Sequence, residues 1–493
     1  MQRFLHFLRR LLAAFFDPQV EKDFPWLRWL WLGSLYVLGV FLFGKFLNWG
    51  NIPFDWLDWA EVNAPRLAFT RNAVLDGVLP LHMADTSALR GVTDRFLTVP
   101  DPILSPQILL FRFLEVGPFV LVHTLLLYTL GAWGLLWFRR RYDLSLVSFT
   151  ALFLLFNFNG HILAHLSVGH VTFAGYFLFP WFVVLVFQLV VDGQQGWAWV
   201  AKMAMLLFAI WLQGAFHQYV WALIFLGVIG LTSWKAFWPA LKAGVAGLLL
   251  SMVRILPPAM MLGQYDDEFL GGYPSVWESL RSMVVIVFPA DAIEGPRNML
   301  NVLAWWEFDL YLGLLGAGFL LVFGLGRWLK TREPAQGYPH LLLPVMVLFL
   351  FSIGRVYRLV RLLPIPLLDG ERVSIRMIIL PMVVLLVLAA IQFQDWLRKQ
   401  NPDPILHVSG LGLLFLLGHD LWQHLKVWQV TNAVEAFPVA RVDLTLKVVG
   451  NHPDPAYTNM LAIGAAVSVL TLAALIVLWV GERRKAAKSE HPA

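Results

Sequence analysis

Residues Trp26–Leu47 read WLRWLWLGSLYVLGVFLFGKFL, an almost unbroken apolar run. A run of about 20 such residues can cross the hydrocarbon core of a membrane as a helix. Soon after it, Pro53–His82 reads PFDWLDWAEVNAPRLAFTRNAVLDGVLPLH, in which Asp55, Asp58 and Glu61 alternate with tryptophans. An apolar span followed by an acidic, Trp-rich loop indicates a membrane protein with a candidate reactive loop at one membrane face.

The composition supports a polytopic membrane protein. The chain has 493 residues, of which 59% are hydrophobic and 14% are charged, and its mean hydropathy is +0.67, whereas soluble domains carry about 25% charged residues. It contains no cysteine, which excludes disulfides, thiolate metal sites and cysteine nucleophiles. The net charge of +5 is typical of inward-facing Lys and Arg and does not predict a nucleic-acid partner.

Apolar runs predict an all-α polytopic fold with about twelve transmembrane helices in a single domain over 26–480. A basic amphipathic helix is predicted to lie on the cytoplasmic leaflet over 1–25, and a basic cytoplasmic tail over 481–493. The predicted spans are 26–47, 118–138, 144–158, 171–191, 197–212, 216–233, 241–262, 307–326, 341–353, 373–393, 406–421 and 458–480.

The charges between the spans predict the orientation of the chain in the cell membrane. Lys and Arg cluster in alternate connecting segments, and cytoplasmic segments are the ones enriched in these residues. We therefore expect both the N-terminus and the C-terminus to be cytoplasmic. The opposite, extracytoplasmic face then receives two large loops with short interfacial helices, an arginine-rich segment and a further loop, at 48–117, 263–305, 354–376 and 422–457.

The arginine-rich segment, GRVYRLVRLLPIPLLDGERVSIR over 354–376, breaks this charge rule. Arginine binds phosphate in a bidentate manner and stays charged, so the segment is a candidate site for the phosphate or pyrophosphate of a lipid carrier. Alternatively, these arginines pair with Asp369, Glu371 or anionic headgroups. The candidate carrier-binding residues are Arg355, Arg358, Arg361, Arg372 and Arg376.

No P-loop, Rossmann glycine pattern or Gly-x-Ser-x-Gly elbow is present in the sequence. Nothing therefore predicts a soluble nucleotide-sugar domain. If the chain is a transferase, its donor must arrive through the membrane.

A succession of motifs resembles the bacterial multi-spanning proteins of the YfhO-like type, within the GT-C class of membrane glycosyltransferases. The similarity lies in the order of the motifs along most of the chain, since each motif alone is weak. The motifs are LDGVLPLH (Leu75–His82), VGHVTFAGYFLFPWFVVLV (Val168–Val186), LQGAFHQYVWALIF (Leu212–Phe225), SLRSMVVIVFP (Ser279–Pro289), YLGLLGAGFLLV (Tyr311–Val322) and RMIILPMVVLLVLAA (Arg376–Ala390).

The resemblance implies a GT-C-like fold and an inverting glycosyltransferase. Such an enzyme takes a sugar from a polyprenyl-phosphate carrier and passes it to an extracytoplasmic glycan, lipid or protein acceptor, with a carboxylate of the first outer loop as general base. This chain departs from many relatives because its acids are spaced Asp-x-x-Asp-x-x-Glu instead of forming a tight pair. The identity of the base therefore stays open.

Asp58 is the preferred base, and Glu61 is the second choice. A base must lie within hydrogen-bond reach of the hydroxyl that it activates, and partial burial by Trp56 and Trp59 would raise its basicity. Asp55, Asp58 and Glu61 would share one face of a helix, where they could also hold a divalent cation. A solvated acidic turn that favours a helix start is the third possibility.

Four histidines are predicted to line the acceptor side of the cavity or to make structural hydrogen bonds. His161 and His165 are spaced as a zinc pair on a helix would be, but no glutamate stands between them, as the metalloprotease pattern requires. No metal-ligand set and no certain cofactor is therefore predicted, although a divalent cation stays possible. The other two histidines are His170 and His217.

Other polar groups receive structural interpretations. Asp94 and Asp101 are expected to form local ion pairs or to serve as second acids. The run 266–268 is expected to be a solvated loop, with a catalytic role as the alternative. Four tryptophans are expected to anchor the chain at the membrane interface: Trp305, Trp306, Trp422 and Trp428.

Two rival functions share the membrane frame. A transporter or flippase for a lipid-linked sugar would need charged or broken spans, for which Arg254, followed by Pro257 and Pro258, is the best candidate. A catalytically inactive structural subunit of a membrane complex is the other. Replacement of Asp58 would distinguish an enzyme from such a subunit.

Overall fold

The computed structural model describes residues 2–80, 102–259, 270–288, 291, 303–330, 338–363, 371–400, 404–437 and 455–490, without the side chains of Glu61, Pro258, Tyr338 and 486–490. Eight helices in this part of the chain are long and apolar enough to cross a membrane: Pro25–Phe46, Val116–Arg141, Leu146–Val168, Val171–Val190, Trp305–Lys330, Ser374–Leu397, Pro404–Trp428 and Pro455–Lys485. Shorter apolar helices are Trp197–Leu212, Phe216–Thr232 and Pro339–Phe351, and the helix Trp234–Leu250 lies near the seventh predicted span.

The remaining described helices have at most 13 residues. Gln2–Ala14 and Pro18–Glu21 precede the first span. The rest lie in the connections: Asn48–Gly50, Trp59–Asn63, Ala64–Asp76, Pro106–Arg112, Met252–Ala259, Val276–Arg281, Gly354–Val360 and Val430–Ala436. Within the described ranges the regular elements are all helical, with two isolated β-bridges besides, so the predicted all-α fold is confirmed.

The third span is longer than predicted, and it contains two histidines that were expected in a loop. The helix Leu146–Asn157 is followed by Gly160–Val168, which begins where the Asn159 side chain accepts a hydrogen bond from the Ile162 backbone N–H. The two helices form one candidate span, Leu146–Val168. His161 and His165 were expected in an outer-face connection, but they lie inside this span and are buried, because a capped second helix continues the apolar run.

The core of the bundle is formed by the spans Leu146–Val168, Val171–Val190 and Ser374–Leu397. Their most apolar windows are 100%, 83% and 89% buried within the protein, whereas that of Pro455–Lys485 is 17% buried. The central helices are therefore enclosed by other helices. The peripheral ones present their apolar surfaces outward, where lipid would cover them.

Both described ends of the chain lie at one end of the bundle. Glu21, just before the first span, pairs with Arg139 at the end of the second span. Glu482, near the end of the last helix, accepts a hydrogen bond of 3.1 Å from the Ala198 backbone N–H. At the opposite end, Gln107 of the first loop donates to Gln213 at 2.9 Å. The first loop and the chain ends are thus at opposite ends of the helices.

Backbone pairing joins the second loop to the arginine-rich segment. Gly271 bridges Val373, and Tyr273 bridges Ile353, both in parallel orientation. Residues 271–273 therefore run between the two halves of the arginine-rich segment. Gly272 has no room for a side chain, because a Cβ there would lie 2.4 Å from the Cα of Gly354.

Candidate functional site

Asp58 lies between two buried tryptophans in the first loop, at the end of the helix bundle opposite the chain ends, which we call the mouth. It directly precedes the π-helical turn Trp59–Asn63. Trp56 and Trp59 are buried, and the indole N–H of Trp59 donates to the Ser167 carbonyl at 2.8 Å. The Asp58 side chain remains 26% exposed. The tryptophans thus anchor the chain on both sides of Asp58, while its carboxylate stays partly open to an incoming group.

A turn after the helix Gly160–Val168 brings His170 to Asp58. The helix ends at Gly169, whose backbone is left-handed with φ of 105°. The Asn63 side-chain amide donates to the Gly169 carbonyl, which ties the turn to the first loop. His170 Nε2 then lies 3.0 Å from Asp58 Oδ2.

His170 also contacts His165, one helical turn earlier. The two Nδ1 atoms are 2.6 Å apart, which is hydrogen-bond distance. The His165 ring stacks on Phe173 with a centroid separation of 4.1 Å. His161 is next in the row, with its ring centroid 4.5 Å from that of His165. Asp58, His170 and His165 therefore form a continuous polar chain from the mouth into the core.

Glu307 and Arg376 close the inner end of this chain. The guanidinium of Arg376 donates from both Nε and Nη2 to the two oxygens of Glu307, with the Nε contact at 2.6 Å. It also lies over the Phe173 ring at 5.1 Å. Glu307 Oε2 is 3.9 Å from His165 Nε2. Both Glu307 and Arg376 are at most 11% exposed, so the pair is largely desolvated and its geometry is fixed.

His217 is oriented by a second buried carboxylate. Its Nδ1 lies 2.9 Å from Glu371 Oε2, and the same oxygen accepts the Trp221 indole N–H at 2.9 Å. Glu371 is 1% exposed, whereas His217 is 30% exposed. Glu371 therefore fixes one ring nitrogen of a histidine that remains accessible.

The charge state of Glu371 follows from competing influences. Burial alone would raise the pKa of this carboxyl. The charge and hydrogen bond of His217 oppose burial, and Arg376 and the Trp221 N–H add to them. The net result is a Glu371 pKa below its ordinary value, so the carboxylate is ionised at neutral pH.

A further buried network lies beside the site. Asp309 accepts hydrogen bonds from the Tyr311 backbone N–H at 2.9 Å and the Trp428 indole at 2.7 Å, and its Oδ2 is 2.9 Å from His424 Nε2. Asp309 and His424 are fully buried. Because all members of this network are buried, we interpret it as a support for the helix packing.

The structure brings together several of the predicted site residues and separates others. Asp58, His165, His170 and Arg376 converge, with His161 adjacent. Arg355, Arg358 and Arg372 are exposed on the arginine-rich segment, and Arg361 is partly exposed. Arg376 differs from these four, because it lies inside the bundle and pairs with a buried carboxylate.

The three acids of the first loop do not share one described helical face. Asp55 lies in a bend before the helical turn begins, and Leu57 has a left-handed φ of 43°. This break separates Asp55 from Asp58. The Glu61 side chain lies outside the described part, as do Asp94, Asp101, Asp266, Asp267, Glu268 and Asp369.

Two of the four predicted interface tryptophans lie in the core instead. Trp305 and Trp428 are 3% and 0% exposed. Trp305 stacks on Phe308, and Trp428 donates its indole N–H to Asp309. Trp422 is partly buried and receives the ammonium of Lys45 over its ring at 4.8 Å. Arg254, the candidate for a transporter, is buried in the helix Met252–Ala259.

Sequence reasoning missed the roles of Glu307 and Glu371. Glu307 stands at the start of an apolar span, where a carboxylate is costly unless it is paired or functional. This cost is the one sequence signal that indicates a buried partner or a function for Glu307. The sequence indicates Glu371 only as a partner for the arginines, and nothing in its local sequence indicates contact with His217.

Comparison with known proteins gives one weak structural similarity. The chain is similar to the cryo-EM structure of the arabinofuranosyltransferase AftD from mycobacteria, with 14% sequence identity and a TM-score of 0.45. The match covers 82% of this chain and 27% of the AftD chain, so this chain spans about a quarter of that protein. No family model matches the sequence, and no curated protein matches it. The YfhO-like resemblance stays a prediction.

Proposed function

We propose that this chain is a membrane glycosyltransferase of the GT-C class that transfers a sugar, with inversion, from a polyprenyl-phosphate carrier to an extracytoplasmic acceptor. The observation that carries the proposal is the position of Asp58. It is a partly exposed carboxylate that contacts His170 at 3.0 Å. Buried tryptophans flank it along the chain, and it lies at the mouth, where the arginine-rich segment also lies.

Asp58 is the proposed general base. A carboxylate that activates an acceptor hydroxyl must be accessible and must point in a fixed direction. The contact with His170 supplies the direction, and the exposure of 26% supplies the access. Inversion follows if the activated hydroxyl attacks the sugar carbon on the face opposite the departing lipid phosphate.

The exposed arginines are the proposed contacts for that phosphate. Arg355, Arg358 and Arg372 present guanidinium groups to the exterior, where they can stabilise the charge that develops on the leaving group. Arg376 has a different proposed role, because Glu307 already takes two of its N–H groups. It positions the inner wall of the site.

The proposed orientation places the site outside the cytoplasm and both termini inside. The Lys and Arg clusters at the opposite end of the bundle, such as 139–141 and 483–485, support this orientation. Cell-membrane lipids would then surround the peripheral helices, and the carrier would reach the site from the outer leaflet.

A sugar-transfer assay tests the proposal. Purified protein in lipid is given a panel of radiolabelled polyprenyl-phosphate sugars, and release of sugar to an acceptor or to water is measured. Loss of a general base costs about 10²–10⁴-fold in rate, so Asp58→Asn should lose transfer by that factor. Asp395→Asn is the matched control, because Asp395 is a partly exposed, ion-paired aspartate elsewhere in the bundle.

One outcome would oppose the assigned base, and another would oppose the transferase itself. If Asp58→Asn and wild type transfer equally, Asp58 is not the base. If both are inert with every donor but bind a labelled carrier, and Arg358→Ala abolishes that binding, the chain is a transporter or an inactive subunit instead.

A further inference from the structure

The hydrogen positions in the chain from Asp58 to His165 leave one buried nitrogen without a partner. An ionised Asp58 can only accept, so the proton at the 3.0 Å contact is on His170 Nε2. A neutral His170 then accepts at Nδ1, and the contact of 2.6 Å requires that His165 Nδ1 donates. A neutral His165 consequently has an unprotonated Nε2.

This His165 Nε2 atom is a buried lone pair that faces a carboxylate. The His165 side chain is fully buried, and Nε2 has no hydrogen-bond partner among the described residues. Its neighbour Glu307 Oε2 is 3.9 Å away. Two electron-rich atoms that face each other without a donor between them are costly in a buried site.

An additional proton on the histidines does not give His165 Nε2 and Glu307 Oε2 a good hydrogen bond. If His170 were doubly protonated, His165 would carry its hydrogen on Nε2 instead. That N–H would point across 3.9 Å to Glu307, which is longer than the 2.7–3.2 Å of a typical N–H···O hydrogen bond. A larger cation fits better, because zinc bonds to nitrogen and oxygen are about 2.0–2.2 Å long, so that one ion can reach both atoms.

We propose that His165, His170 and Glu307 form a binding site for one divalent transition-metal ion, such as zinc. One ligand atom from each residue lies within 4.8 Å of the others. Two imidazoles and one carboxylate suit zinc and similar ions, whereas magnesium and calcium prefer oxygen ligands. When the ion takes the Nδ1 lone pair of His170, the hydrogen bond between the two rings opens.

Neighbouring side chains hold each of the three ligands in place, as in known metal sites. Metal-bound histidines usually donate their other ring N–H to a carboxylate, which fixes the ring. Asp58 has this position relative to His170. Phe173 stacks on His165, and Arg376 holds Glu307 in place. The sequence predicted no such ligand set, because Glu307 lies far from the histidines along the chain.

Direct metal measurements on the full-length protein test this site without reference to sugar transfer. Protein purified in detergent is treated with EDTA, then titrated with Zn²⁺, and bound metal is counted by mass spectrometry. Co²⁺ is titrated in parallel, and its visible d–d absorption is recorded. We expect about one ion per chain, with tetrahedral Co²⁺ bands that Zn²⁺ removes.

Variants separate this site from adventitious binding. His170→Ala and Glu307→Gln should lose the Co²⁺ bands and the rise in thermal midpoint that Zn²⁺ gives to wild type. His419→Ala should keep both, because His419 is an exposed histidine bonded to Gln423 outside the cluster. Size-exclusion profiles identify any variant that does not fold, and His165→Gln then replaces it.

Two results would overturn the site. One is wild-type protein that takes up no ion and gives no thermal shift with Zn²⁺. The other is folded His170→Ala and Glu307→Gln variants that bind metal as wild type does. Because these readouts need no donor or acceptor, the metal site can fail while the transferase stands, and the reverse also holds.

Discussion

The backbone of Gly169 touches the backbone of Trp59 so closely that a Cβ on Gly169 would lie 2.6 Å from the Trp59 nitrogen. The same glycine has a left-handed φ of 105°. Gly169 ends the helix Gly160–Val168, and the turn that it forms brings His170 into contact with Asp58. The shape of the proposed catalytic mouth therefore depends on the absence of one side chain.

Gly169→Ala should destabilise the protein and disable the site. A non-glycine residue in left-handed backbone costs about 1–3 kcal/mol, and the contact with Trp59 adds to this because the loop must move away. We expect a lower thermal midpoint and loss of sugar transfer. Thermal unfolding in detergent and the transfer assay measure the two effects.

Gly77→Ala is the matched control for this prediction. Gly77 also ends a helix with a left-handed φ, of 69°, but nothing lies within 4 Å of the position that its Cβ would take. It should show the backbone strain alone, with a smaller loss of stability and retained transfer. Equal effects of the two substitutions would mean that the close approach to Trp59 is unimportant.

Arg376→Ala should be among the most destabilising substitutions in the site. Removal of one partner from a buried ion pair costs about 3–5 kcal/mol, because the other charge stays buried and uncompensated. The measurement is denaturant or thermal unfolding of the variant against wild type. Arg358→Ala, at an exposed position, should leave stability nearly unchanged and weaken carrier binding.

The double variant Glu307→Gln with Arg376→Gln sharpens this test. With both charges gone, no buried charge remains unpaired, so the double variant should lose less stability than Arg376→Ala does. If the loss of stability in the double variant equals the sum of the losses in Glu307→Gln and Arg376→Gln, the two side chains do not stabilise each other through their charges.

Glu371 should make stability depend on pH in the acidic range. Its folded-state pKa is lowered, so its ionised form stabilises the fold at pH values above the unfolded pKa. This contribution is lost as the pH falls through the folded pKa. Glu371→Gln should therefore be less stable than wild type at neutral pH, and the gap should narrow below the ordinary glutamate range.

Thermal midpoints across pH for wild type and Glu371→Gln measure this gap. Asp395→Asn is the control, because its carboxylate is 37% exposed and its ion pair with Arg398 contributes little. A gap between wild type and Glu371→Gln that stays constant or widens on acidification would contradict the assigned charge state.

Single-cysteine labelling should establish which face of the membrane carries the site. The chain contains no cysteine, so all maleimide labelling of a single-cysteine variant comes from the introduced thiol. Phe113, which is 84% exposed in the first loop just before the second span, and Gln194, in the connection at the other end, are suitable positions. We expect an impermeant maleimide to label Phe113→Cys on intact cells and Gln194→Cys only after lysis.

The helical fold was predictable because its signal is local. An apolar run of membrane length needs no partner to be recognised, and helices occupy the predicted spans. The continuation of the third span through His161 and His165 was missed, because Asn159 and Gly160 look like a loop. Asn159 instead caps a second helix.

The site was predictable only in pieces. Asp58, the histidines and Arg376 could each be singled out from their residue type and spacing. Their mutual contacts depend on how distant helices pack, which no local pattern encodes. Glu307 was overlooked because one carboxylate hardly changes the hydropathy of a window, although it is paired with Arg376 in the folded protein.

The threading of residues 271–273 between the two halves of the arginine-rich segment has a mechanical consequence. Gly271 donates its N–H to the Arg372 carbonyl at 2.7 Å, and Tyr273 donates to the Ser352 carbonyl at 2.9 Å. The Tyr273 hydroxyl in turn donates to the Phe308 carbonyl at 2.9 Å, next to Glu307. Residues 271–273 thus connect the arginine-rich segment to the backbone beside Glu307 through hydrogen bonds, and we expect a displacement of that segment to displace Glu307 with it.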